Sequence, residues 1–198
     1  MSRLMMFVLA SVTLLTMQAA FAITDVATFA MGCFWCAQAD FDKVKGVTKT
    51  IVGYTGGSEP NPTYADVSSG KTGHYEAIQV YYDPAIVSYE QILSHFWHDI
   101  DPLNAEGQFC DTGNQYRAVI FYANPEQKKL AEASKEELMK VPGFEKIATE
   151  ILPVTTFYPA EDYHQSYYKK KTILYNIYRY SCGRDSRLQK LWGADAVH

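Results

Sequence analysis

Between residues 26 and 44 the sequence changes period at a single glycine, and this change constrains the fold more than any other feature of the chain. Residues 26–31 are a short apolar stretch of strand type, and Gly32 lets the chain turn tightly. Over residues 33–44, Phe34, Ala37, Phe41 and Val44 then recur at helical spacing. A strand is handed straight to a helix, and the residue at the joint is Cys33. Cys36 follows one turn later on the same face, within reach of a disulfide.

The rest of the chain alternates in the same manner. Residues 47–54 read as a strand ended by Gly56-Gly57, and residues 58–73, rich in Gly, Pro, Ser, Asn and Asp, read as a long loop of the kind that carries function. Residues 74–82 alternate like a strand and stop at Asp83-Pro84. Ser88 with Gln91 three residues on is a capping box, and Ile92, Phe96 and Ile100 mark the apolar face of the helix behind it. After an irregular stretch over 101–115 come a strand over 116–122 and a charged helix to about residue 141, opened by Asn124-Pro125. Two strand-like pieces, 147–152 and 155–158, precede a segment over 160–170 that reads as helix, and the tail from residue 174 has no clear period. Strands and helices mix without a parallel-sheet rhythm, so the class expected is mixed α and β.

Residues 1–22 are expected to stand apart from the fold. Arg3, an apolar run from Leu4 to Leu15 broken by Ser11 and Thr13, and Ala20-Phe21-Ala22 have the form of a secretory signal peptide with its cleavage site. The run is short and wrongly flanked for a lasting membrane span; an uncleaved anchor is the alternative. Residues 23–198 are then one domain, periplasmic or secreted, with no repeat or linker. A net charge of −4 and no long basic run make it a poor nucleic-acid binder.

Four cysteines, Cys33, Cys36, Cys110 and Cys182, follow the leader. An exported chain invites two structural disulfides, yet a domain of this size buries a core without staples. At a helix start the unpaired N–H groups favour a thiolate, so Cys33 is expected to have a lowered pKa. Spacing alone supports three readings: a thioredoxin-like disulfide oxidoreductase, half of a zinc site completed by Cys110 or a histidine, and a peroxide or sulfoxide reductase with a resolving thiol. A disulfide-stapled binding module is the non-enzymatic alternative. On spacing, the thioredoxin-like reading leads.

The residues within and beyond the pair shift that balance. Gly32-Cys33-Phe34-Trp35 resembles the signature of the type A methionine sulfoxide reductases. The resemblance runs on, in the family's order, through Gly53-Tyr54-Thr55-Gly56-Gly57, Asn61-Pro62-Thr63-Tyr64, Thr72-Gly73-His74-Tyr75-Glu76, Tyr82-Asp83-Pro84, Asp111-x-Gly113-x-Gln115-Tyr116-Arg117 and Ala160-Glu161-Asp162-Tyr163-His164-Gln165.

The resemblance implies an α+β fold, a mixed sheet with flanking helices in a two-layer, ferredoxin-like sandwich. It implies reduction of the S epimer of methionine sulfoxide, free or in proteins, without metal or organic cofactor; a monomer is expected. Cys33 would be the nucleophile and Glu76 the acid, with Tyr64, Asp111 and Tyr116 around the sulfoxide and Phe34 and Trp35 as the apolar wall for the substrate methyl. Glu76 would need a pKa raised by burial and by the nearby thiolate. The sulfenic acid left on Cys33 would be resolved by Cys36, close by one helical turn, or by Cys182, since related enzymes often recycle through a C-terminal cysteine. Cys110 is expected to be a small buried core residue, and His164 structural. An exported dithiol protein, thioredoxin-like or periplasmic, would reduce the enzyme. Gln38 and Ala118 stand where many relatives carry Glu and Ser, with indirect consequences at most.

Overall fold

A computed structural model describes residues 24–196, so the leader read over residues 1–22 lies outside the described residues. Its centre is a six-stranded sheet in the order β7-β6-β1-β3-β2-β8. Strand β1 (Asp25–Met31) lies between β3 (Tyr75–Tyr82) and β6 (Ala118–Tyr122), antiparallel to both. Strand β2 (Val47–Thr55) extends the sheet beyond β3, and the two-residue β8 (Tyr158–Pro159) closes that edge. On the far side β7 (Glu150–Pro153) runs parallel to β6, which makes the sheet mixed.

Helices α1 (Phe34–Phe41), α3 (Tyr89–His98) and α4 (Pro125–Leu138) bring their apolar residues into one core with the central strands. Phe29 of β1 stacks on Phe96 at 4.8 Å and on Phe41 at 5.7 Å, joining sheet, α3 and α1. Truncating Phe29 to alanine would cost about 3–5 kcal/mol through lost burial and the cavity left behind. A smaller cluster of Ala30, Val119 and Phe121 covers the other side. The architecture is an α+β sandwich of the ferredoxin-like kind.

Local signals set several boundaries. Ser88 and Gln91 form the reciprocal box that starts α3, and Asn124 accepts from the Gln127 N–H at 2.9 Å to start α4 with Pro125 at its first position. The long loop over 58–73 holds a short helix the sequence reading missed, α2 (Tyr64–Ser68), capped by Thr63 and Asp66. The irregular stretch contains a two-stranded ribbon, β4 (Gly107–Gln108) with β5 (Asp111–Thr112), and a 3-10 turn at Asn114–Tyr116.

The helix expected over 160–170 is largely absent; only α5 (Tyr167–Lys170) forms. The cause is that Gln165 serves the sheet edge. Its amide accepts from the Val52 N–H at 3.1 Å and donates to the Val52 carbonyl at 2.8 Å, and Ser166 then turns with φ +53°. The tail without clear period is two helices, α6 (Thr172–Cys182) and α7 (Arg184–Trp192), separated by Gly183 at φ +72°. Arg184, 1% exposed, fixes this tail under the sheet by donating to the carbonyls of Met31 and Asp99. Met31 is the last residue of β1, so the tail holds the joint that carries Cys33.

Candidate active site

The turn at the end of β1 is built for close approach. Gly32 has φ +76°, and a Cβ there would lie 2.6 Å from the Gln108 Cβ. Gln108 is held by two hydrogen bonds to the Asp101 backbone, at 2.8 and 2.9 Å, so it cannot easily move aside. Cys33 is the N-cap of α1, and its carbonyl accepts from the Cys36 N–H at 3.1 Å. The residue is 7% exposed.

Glu76 comes from the neighbouring strand. Ala30 of β1 pairs with Ala77 of β3, which sets Glu76 beside the end of β1. Its carboxylate accepts from the Phe34 N–H at 3.1 Å, the first N–H of the helix that carries the two cysteines. Read alone, an acid in an alternating strand would face solvent; here it is 2% exposed because the start of α1 covers it. Burial raises its pKa to about 8, with the Phe34 N–H opposing and Asp111 and Cys36 adding to the rise. At neutral pH Glu76 is therefore mainly a carboxylic acid.

Two tyrosines close over this corner. Tyr64 opens α2, where Glu161 accepts its N–H at 2.9 Å, and its ring packs on His164 at 4.4 Å. Burial, then Glu76 and Cys33, push its phenol up to about 12, and burial with Glu76 raises Tyr116 as well. Both stay protonated and can donate. Asp111 is raised by burial, and the Tyr178 hydroxyl donates to it.

Tyr178 was missed in the sequence. It hydrogen-bonds Cys33 and Asp111 and lies edge-on to Trp35 at 5.8 Å. The legible signal was the spacing of Tyr175, Tyr178, Arg179 and Cys182, one face of a helix. Trp35 stacks on Tyr167 at 3.9 Å and donates its indole N–H to His164 Nδ1 at 3.0 Å. Phe34 is buried against Tyr54 and His164. Buried His164, with its pKa lowered by burial, fixes the two aromatics and has Nδ1 occupied, a structural role. Gln38 bridges the Ser166 N–H and the Thr50 hydroxyl, and Ala118 pairs with Met31.

The cysteines divide differently from expectation. Cys110 is not a buried core residue: it is exposed and disulfide-bonded to Cys182, with a Cα–Cα distance of 4.9 Å. Its neighbour Asp111, the first residue of β5, faces inward to Tyr178, which turns Cys110 outward. With both sulfurs in this bond, Cys110, Asp111 and Cys182 offer no thiolate ligands to a metal, although they lie together. Cys33 and Cys36 are free and buried.

The lowered pKa expected for Cys33 is also corrected. Burial pushes its thiol well above the ordinary value, and the hydrogen-bonded Cys36 and nearby Glu76 add to this. Cys36 moves the other way, lowered by the hydrogen bond from Cys33 and by Arg184 and Arg179. Within the pair, the surroundings push Cys33 toward the thiol and Cys36 toward the thiolate. The helix start does not decide the matter because the cationic side chains lie on the Cys36 side.

Comparison with known proteins agrees with this constellation. Residues 25–196 match the family model described as peptide methionine sulfoxide reductase. A relative from Vibrio cholerae, peptide methionine sulfoxide reductase MsrA/MsrB, is 52% identical over 170 residues, covering 85% of this chain and 45% of the relative. The chain thus spans about half the length of that relative, whereas it covers 94% of the Bacillus licheniformis peptide methionine sulfoxide reductase MsrA, at 49% identity over 170 residues and 85% of this chain. The crystal structure of reduced Mxr1 from Saccharomyces cerevisiae superposes with a TM-score of 0.72 at 32% identity, covering 79% of this chain and 91% of that one.

Proposed function

The chain belongs to the peptide methionine sulfoxide reductase A family, and from this premise we propose that it reduces the S epimer of methionine sulfoxide, free and in proteins, in an exported compartment. One observation carries the chemistry: Glu76, buried and with its pKa raised to about 8, is hydrogen-bonded to the first N–H of the helix capped by Cys33. That contact sets the Glu76 carboxyl beside the start of the helix that Cys33 caps.

Attack by the Cys33 sulfur on the sulfoxide sulfur places charge on the oxygen. Glu76 gives that oxygen its proton, and Tyr64 and Tyr116 donate hydrogen bonds to it. Phe34 and Trp35 receive the methyl group. Methionine leaves, and Cys33 is left as a sulfenic acid.

Cys36, hydrogen-bonded to Cys33, then closes the inner disulfide with release of water. Cys182 lies one turn beyond Tyr178 on α6, and Tyr178 contacts Cys33. In dithiol form, Cys182 exchanges with the inner disulfide and Cys110 completes the outer one. The exposed Cys110 then suits reduction by an exported, thioredoxin-like dithiol protein. The leader form of residues 1–22 supports export.

Resolved epimers of a methionine sulfoxide peptide, offered with a small dithiol, test the reading. Consumption of the S epimer alone is expected. Consumption of the R epimer alone, or of neither, would overturn it.

A further inference from the structure

Cys110, Asp111 and Cys182 bring two sulfurs and a carboxylate to one place, with one donor atom from each within 4.8 Å of the others. In the disulfide both sulfurs are closed to a metal. A dithiol donor opens them whenever it reduces the pair, and two thiols then stand beside an acid.

Asp111 distinguishes this place from an ordinary disulfide. Its Oδ2 accepts from the Tyr178 hydroxyl, while Oδ1 faces the Cys110 sulfur at 3.9 Å. Burial raises its pKa, with the Tyr178 hydroxyl and Arg184 opposing. Arg184 lies over the Phe109 ring at 4.5 Å, but it gives its donors to Met31 and Asp99. Among the described residues, none forms an ion pair with Asp111, so one carboxylate oxygen is turned to a sulfur without a cation to balance it.

The spacing suits a tetrahedral ion. Zinc binds sulfur at about 2.3 Å and carboxylate oxygen at about 2.0–2.2 Å, which sets the two donors about 3.5 Å apart. The 3.9 Å between Cys110 Sγ and Asp111 Oδ1 is close to that. The Cα atoms of Cys110 and Cys182 are 4.9 Å apart, so the second sulfur stays within reach once reduced. Cys110 is exposed, which gives the ion a path in and leaves its fourth position to water. Thiolate donors select against magnesium and calcium, which take oxygen. The inner pair offers no such place, because both thiols are buried and Glu76 beside them is mainly protonated.

We propose that the reduced outer pair, together with Asp111, is a binding site for a thiophilic divalent cation of the zinc type. Binding forms two metal–sulfur bonds and one metal–oxygen bond and releases the two thiol protons to solvent; no electrons move. Metal-bound thiolates are withdrawn from disulfide exchange, so the cation and the disulfide compete for the same sulfurs. The site is open only in reduced protein, and occupancy holds the outer pair reduced. It depends on Cys110, Asp111 and Cys182, not on the chemistry at Cys33.

A Cys33→Ser/Cys36→Ser protein keeps the outer pair as its only thiols and isolates the site. Reduced by a phosphine and freed of it under inert gas, it should take up one equivalent of zinc, and cobalt(II) should give sulfur-to-metal absorption. With the disulfide closed it should take up none, and its return to that disulfide on oxidation shows the fold intact. Zinc added before oxidised glutathione should slow that return by at least about tenfold, since bound thiolates do not exchange. Asp111→Asn keeps both thiols and an acceptor for Tyr178. It should weaken zinc binding by at least about tenfold, the lower end of the loss when a group that merely supports a metal ligand is removed. Absence of zinc uptake by the reduced protein would overturn the proposal. So would equal uptake by the oxidised form, which marks adventitious surface binding, or unchanged affinity in Asp111→Asn.

Discussion

The molecule carries two cysteine pairs, and they differ in every respect that governs reactivity. Cys33 and Cys36 are three residues apart, buried and free. Cys110 and Cys182 are 72 residues apart, joined, and open to solvent at Cys110. Spacing alone would assign the disulfide to the close pair. What decides instead is surroundings: the inner pair is buried at the start of α1, beside the largely protonated Glu76. The outer pair lies where a protein partner can reach it. Chemistry and electron supply are thus placed on different sulfurs.

The sharpest way to break this division is Cys33→Ser, which should reduce methionine formation to background in single-turnover quench, whatever the dithiol. Activity surviving through Cys36 would erase the distinction between the two inner thiols. Next in size, Cys182→Ser should confine the enzyme to its first turnovers when a protein dithiol is the donor, with a Cys33–Cys36 disulfide accumulating by mass spectrometry. Undiminished steady-state turnover would remove the outer pair from the cycle. The same variant loses the constraint on a long loop, worth about 4 kcal/mol in the chain-entropy model, which denaturant unfolding would read.

Glu76→Gln is expected to slow the first step by about 100-fold. The sign of its pH dependence follows from the raised pKa. The proton is present below about 8 and lost above it, so the wild-type rate should fall as pH rises through that value. The glutamine variant should lack this falling limb; a limb that persists would assign it to another group. The smallest effect belongs to Tyr178→Phe, which removes a hydroxyl shared between Asp111 and Cys33. An ordinary hydrogen bond contributes about 0.5–1.5 kcal/mol, so a loss of about two- to tenfold in the first step is expected.

How far the sequence exposed this arrangement depended on the side chains concerned. The strand–glycine–helix joint was plain, because periodicity and Gly32 both report backbone directly. Glu76 was visible only through the family resemblance, since burial of an acid at a strand start depends on what packs over it. The tail was obscure for a specific reason. In α6 the aliphatic Ile173, Leu174 and Ile177 face solvent while Tyr175, Tyr178 and Arg179 face inward, so hydrophobic periodicity pointed the wrong way. Tyr178 and the arginine cluster were lost with it. Cys110 was misplaced because its neighbour Asp111, not its own polarity, sets which way the loop turns.

One measurement bears most directly on the division of labour. Fully reduced enzyme is given a single equivalent of methionine sulfoxide without external reductant, and its disulfides are then mapped by mass spectrometry. Formation of Cys110–Cys182, with Cys33 and Cys36 returned to thiols, is the predicted end state. Methionine formed while Cys110 and Cys182 stay reduced and the oxidation remains at Cys33 would contradict it.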